Sequence, residues 1–181
     1  MKKIQILIFF SILTINSFGE NYCFKYTGTG DDSIAWITTD WITVTDGKEY
    51  ELSARIKYED FAVEKGKFVI DGWCYKDKEL VKGGFGDQKI IVNNGTKAWY
   101  IIRTKIIIPA GVNRLKMALT AMGKGRVWVK EVFFAKTNDG NNLIPNGDFE
   151  DIDEQEQIPR GWKIGIYKGA PVAPSKIEWT E

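Results

Sequence analysis

Histidine is absent from the 181 residues, and with it go Ser-His-Asp and Cys-His catalysis and every His-ligated zinc site. An excess of either charge is also missing. Lys and Arg number 25 against 24 Asp and Glu, a formal net charge of +1, so the chain carries no electrostatic footprint for nucleic acid. Whatever catalysis remained would run on carboxylates, and glycoside hydrolysis needs two of them flanking the bond at roughly 5–9.5 Å; no pair in the sequence can be placed that way. Cysteine occurs only as Cys23 and Cys74. A sustained apolar repeat of helical period is lacking throughout, and the length is too short for an α/β barrel. What the chain does have is 44% hydrophobic and 27% charged residues, ordinary for a globular domain, with 18 Gly and 13% aromatics including seven Trp. That is more indole than a small core needs, and many turns.

The one long apolar run, Ile4 to Ile15, follows Lys2 and Lys3 and precedes the small residues Ser17 and Gly19. It is shorter than the ~20 residues that span a bilayer, and this arrangement predicts a cleaved signal peptide over residues 1–19. Export implies a secreted, periplasmic or cell-surface protein whose mature chain starts near Glu20, with 23 basic and 24 acidic side chains once Lys2 and Lys3 are gone. An oxidising compartment permits Cys23 and Cys74 to pair, but strand parity turns Cys23 outward beside Phe24 and Cys74 inward with Phe68 and Ile70. Two unpaired thiols are expected.

Apolar residues alternate with polar ones along most of the mature chain. Tyr50, Leu52, Ala54, Ile56 and Tyr58 interleave with Glu49, Glu51, Ser53, Arg55 and Lys57, the pattern of a strand with one wet face. Residues 22–26, 34–44, 67–76, 97–108, 112–120 and 126–134 read as further strands. Turn pairs such as Asp46-Gly47, Gly83-Gly84, Asn94-Gly95 and Ala110-Gly111 separate them, and some seven short antiparallel strands with such punctuation describe an all-β sandwich. The Gly-x-Gly triplets at 28–30 and 123–125 precede no helix pattern and read as turns. The acidic run Glu150, Asp151, Asp153, Glu154 and Glu156 reads as a solvated loop or, less simply, as oxygen ligands for calcium.

Strand 67–76 is the informative one. If Phe68, Ile70, Gly72 and Cys74 face the core, then Asp71, Trp73 and Tyr75 share the opposite face. Two large aromatics beside a carboxylate suit a sugar, whose C–H face stacks on flat rings while planar polar groups take its hydroxyls. The plain alternative is an inverted assignment that puts Trp73 in the core. Trp99, Arg103 and Lys105 share a second mixed face, on which Arg103 is either a sugar hydrogen-bond donor or merely exposed. Trp36, Trp41 and Trp128 read as core or rim.

Residues 36–134, with Trp41-Ile-Thr-Val, Gly47-Lys-Glu-Tyr-Glu-Leu-Ser-Ala, Trp99, Ile108-Pro-Ala-Gly and Gly125-Arg-Val-Trp-Val-Lys-Glu-Val, resemble the jelly-roll carbohydrate-binding modules of the galactose-binding-like superfamily, notably families four, nine and twenty-two. Asn142-Leu-Ile-Pro-Asn-Gly-Asp-Phe-Glu followed by Pro159-Arg-Gly-Trp162 is similar to the opening strand of the same modules. The resemblance implies an antiparallel jelly-roll β-sandwich that binds polysaccharide without catalysis, commonly with a structural calcium ion. The family usually carries an acidic pair before the last strand's valine. Here Lys130 replaces one member and Glu131 remains, so Glu131 and Glu150 are the calcium candidates. The order also departs from the family, because the opening strand comes last. Either residues 20–137 are a sandwich that residues 138–181 complete by circular permutation, or those residues begin a truncated second module.

The resulting expectation is an exported sandwich that binds a polysaccharide or oligosaccharide through Trp73, Tyr75, Asp71 and Arg103, in association with a carbohydrate-active enzyme. The competing expectations are an adhesive or scaffolding sandwich that meets protein, and the ancillary domain of a glycoside hydrolase.

Overall fold

The computed structural model describes residues 22–29, 34–62, 67–92, 94–156, 158–165 and 175–180. The proposed signal peptide lies outside them. Fourteen strands are described: β1 Cys23–Gly28, β2 Ile34–Thr39, β3 Ile42–Thr43, β4 Glu49–Ala62, β5 Phe68–Lys76, β6 Glu79–Gly83, β7 Ile90–Val92, β8 Gly95–Ile107, β9 Arg114–Met122, β10 Lys124–Lys136, β11 Ile152–Asp153, β12 Ile158–Pro159, β13 Trp162–Gly165 and β14 Ser175–Thr180. Among the described residues the sole helical element is a short 3-10 turn, Gly86–Gln88.

One sheet runs β14-β1-β10-β4-β8. The other runs β13-β2-β9-β5-β6, with β3 added on β9 and β7 on β5. Every pairing between these strands is antiparallel. Alternation decides which side of each strand is buried: Tyr50, Leu52, Ala54 and Ile56 of β4 and Val127 and Val129 of β10 point inward, to meet Ile37 of β2, Phe68 and Ile70 of β5, and Leu115, Met117 and Leu119 of β9 in one continuous core. A sheet apolar on one face must bury that face against another layer, which is why the two sheets close into a sandwich.

Residues 142–156 and 158–165 are built onto that core. Ile144, Phe149 and Trp162 are buried within it. The Asn142 side chain accepts the amides of Phe134 (2.9 Å) and Ile144 (3.0 Å) and donates to the Val132 carbonyl (3.0 Å). The Trp162 indole donates to the Pro145 carbonyl at 3.0 Å. β13 then extends one sheet beside β2 and β14 extends the other beside β1.

Several features differ from the sequence reading. β6 and β7, within residues 79–92, carry no alternation strong enough to have been read as strands; β6 is exposed along its whole length. Cys23 is buried although its neighbours Phe24 and Tyr26 take the core side. It lies on one sheet and Cys74 on the other, and no disulfide joins them.

Candidate functional site

On β5 the core side is taken by Phe68, Ile70 and Cys74, each fully buried, and by Gly72, whose missing side chain leaves space for the Phe85 ring. Asp71, Trp73 and Tyr75 are half-buried on the opposite side. That side holds more than strand 67–76 alone announces. Trp36 of β2 meets Trp73 with ring centroids 4.7 Å apart at 83°, and Trp41, 42% exposed, meets Tyr75 at 4.8 Å and 86°. Each pair forms a corner, one ring edge-on to the flat of the other, the arrangement the aromatic quadrupole favours.

The pairing register explains how the rings come together. Ala118 on the central strand β9 lies between Thr38 on β2 and Asp71 on β5. Ala118 points away from the main core yet is 2% exposed. The Trp36 indole lies across Gly165 of β13, where any Cβ would overlap the ring. Trp36 and Trp41, read from the sequence as core or rim, therefore belong to the same outer face as Trp73 and Tyr75. For Trp36 parity was the available signal, since Ala35 and Ile37 take the core side of β2; Trp41 lies past the end of that strand at Thr39, where its parity no longer applies. Only the cross-strand register shows which residues they meet.

Asp71 is on this face but its carboxylate is engaged. One oxygen accepts the Phe85 amide at 2.6 Å and the Gly72 amide at 2.8 Å. The other faces Gly84, whose φ of +128° and closeness to that oxygen leave no room for a side chain. Asp71 thus fastens the 83–86 loop at the rim of the aromatic face. Burial, with a smaller effect from Cys74, holds the Tyr75 phenol above its usual pKa. Burial pushes the Cys74 thiol up to about 11.

Arg103 is elsewhere. It lies on β8 of the other sheet, exposed, 3.9 Å from Glu51, and the structure does not bring it near Trp73 or Tyr75. The outer face of that sheet is a mosaic of ion pairs: Arg55 with Glu131 (3.1 Å), Lys105 with Glu49 (2.9 Å), Lys57 with Glu59 (2.7 Å) and Arg126 with Glu59 (3.1 Å). Two tryptophans of this face lie under cations, Trp128 with Lys57 at 4.6 Å and Trp99 with Lys130 at 5.1 Å.

Glu131 sits in a bulge of β10 with φ +53°. Its carboxylate goes to Arg55, and Glu150 is exposed on the next segment. Among the described residues no three His, Cys, Asp or Glu side chains gather as a metal group. A calcium ion held by Glu131 and Glu150 would share the Glu131 carboxylate with Arg55.

No protein-family model matches the chain, and a search of curated proteins found no match. Among solved structures, the chain is similar to the carbohydrate-binding module of PbXyn10C in its apo form, with a TM-score of 0.57 and 17% identity over 93% of this chain and 92% of that one. A CBM4 structure follows at a TM-score of 0.43 and 14% identity, over 63% of this chain and 71% of that one. The enzymatically active domain of bacteriophage CBA120 tailspike protein 4 gives 0.46 and 13%, over 64% of this chain and 19% of that one. Of these three, the PbXyn10C likeness is close enough to carry weight, and at its identity it bears on fold alone. The fold is an antiparallel jelly-roll β-sandwich of the kind seen in carbohydrate-binding modules.

Proposed function

We propose that this protein is an exported, non-catalytic module that binds polysaccharide on the outer face of β2, β9 and β5, through Trp73, Tyr75, Trp36 and Trp41. The observation that carries the reading is the pair of perpendicular aromatic corners on a single sheet face. Exposed aromatic surface costs solubility, and a structural strand gains nothing from it. A pyranose can lie on one ring of a corner with its edge against the other, burying C–H groups on both. Trp73 and Tyr75 are spaced about 6.6 Å along the strand, near the length of one sugar unit, so adjacent residues of one glycan chain can occupy adjacent corners.

The fold shared with a carbohydrate-binding module supports the same reading, and the absence of histidine from the chain narrows the catalytic alternatives. As a module the protein would act beside a glycoside hydrolase and hold that enzyme on its substrate. Arg103, on the far sheet, has no part in this site, and Asp71 shapes its rim. A glycan array probed with the mature protein tests the proposal. Retention of one class of β-linked polysaccharide is the expected result; a protein that recognises no glycan and instead associates through Tyr75 and the exposed Leu80 and Val81 would be an adhesive sandwich.

A further inference from the structure

The charges of the two outer faces are arranged differently. On the β8-β4-β10 face, five cations (Arg55, Lys57, Arg103, Lys105 and Arg126) each have a carboxylate within ion-pair distance, and Lys130 lies over the Trp99 ring. On the aromatic face the central strand β9 presents Arg114 and Lys116, which lie directly beside Tyr75 and Trp73 in the register. Neither is ion-paired among the described residues. At the edge of this face Lys163 is paired with Asp40 at 2.5 Å, and the Asp71 carboxylate takes two backbone amides. Lys116 is held instead by an aromatic ring, its ammonium 4.6 Å from the centroid of Trp41.

A cation fixed over an indole keeps its charge, loses side-chain freedom in advance, and can donate to an acceptor arriving on the same face. Arg114, two residues along the same strand, offers a planar fork suited to a two-oxygen anion. Lys116 places positive charge between the two aromatic corners and Arg114 places it beside Tyr75, where a sugar stacked on Trp73 or Tyr75 would carry its substituents.

We infer that the glycan is anionic, bearing carboxylate or sulfate groups that Lys116 and Arg114 receive while the rings of Trp41, Trp73 and Tyr75 hold the sugar. The inference rests on the polysaccharide reading and names its substrate class. Carboxylate and sulfate offer the same charged oxygens, so the test keeps them apart.

Affinity electrophoresis of the whole mature protein against glucuronoxylan and its carboxyl-reduced form, and against dextran sulfate and dextran, reads the effect directly. One anionic polymer of the two should bind at least about fivefold more tightly than its neutral counterpart, as charge-assisted hydrogen bonds imply. That ratio should shrink as salt rises from about 0.05 to about 0.5 M. The double variant Lys116→Gln/Arg114→Gln, checked by thermal melting, should bring the ratio to about one, and Lys116→Arg should restore part of it. Equal binding of charged and neutral polymers by the unaltered protein would overturn the anionic inference while leaving polysaccharide binding intact. Retention by no polymer at all would overturn both.

Discussion

At the residue scale, the character of each outer face turns on which way single side chains point. Trp73 and Tyr75 take the wet side of β5 because Phe68, Ile70 and Cys74 take the other. Trp73→Ala and Tyr75→Ala should each weaken polysaccharide binding by about 1–3 kcal/mol, the effect of losing one aromatic platform. The same changes should cost less stability than the ~3–5 kcal/mol of a core aromatic truncation; titration calorimetry beside a thermal melt measures both. Asp71→Ala should behave in the opposite way. With the Phe85 and Gly72 amides deprived of their acceptor, the folded state should lose about 1–3 kcal/mol, and a melt reports it. The outward set Asp71, Trp73 and Tyr75 was legible from alternation within one strand. Trp36 and Trp41 were not, because their partners are 37 and 34 residues away along the chain and only strand order joins them. Arg103 was grouped with Trp73 and Tyr75 for the same reason, and it lies on the other sheet: parity gives a face but never says which sheet.

At the element scale, the last quarter of the chain closes both sheets. β13 beside β2 and β14 beside β1 cover strand edges, and Ile144, Phe149 and Trp162 fill the core. Deleting residues 142–181 should abolish cooperative unfolding, since it opens the core and bares two edges. Circular dichroism would detect this, and a truncated protein melting at the parental temperature would show that the segment is independent of the sandwich. The strands from β4 to β10 were readable where one face is wet, as in Glu49–Ala62. β6 escaped notice because all of its residues are exposed, so it has no apolar period to read. The bulge at Glu131 was also hidden. It turns that carboxylate toward Arg55, and chelator should accordingly leave the melting temperature unchanged, whereas a fall on chelation would restore Glu131 and Glu150 as calcium ligands.

At the scale of the whole molecule, the titrating groups predict a broad plateau of stability. Glu49 is held below its usual pKa chiefly by the Lys105 hydrogen bond, Glu59 by that of Lys57, and Asp153 by the amides of Glu156 and Gln155. Depressed carboxylates contribute stability that is present above their ordinary pKa and lost as pH falls through the lowered one. The Cys74 thiol is raised from 9.0 to about 11, so its contribution is complete below 9.0 and lost as pH rises through about 11. With no histidine between these limits, melting temperature should be flat from about pH 5 to about pH 9; a step near neutrality would contradict this. The central claim is that one face of this sandwich, and not the other, holds the glycan. Trp73 and Trp128 stand on opposite outer faces, and both are half-buried tryptophans, so retention of Trp73→Ala and Trp128→Ala in one polysaccharide gel compares them directly. Loss of retention in Trp73→Ala with parental retention in Trp128→Ala is the predicted result, and the reverse would contradict the account.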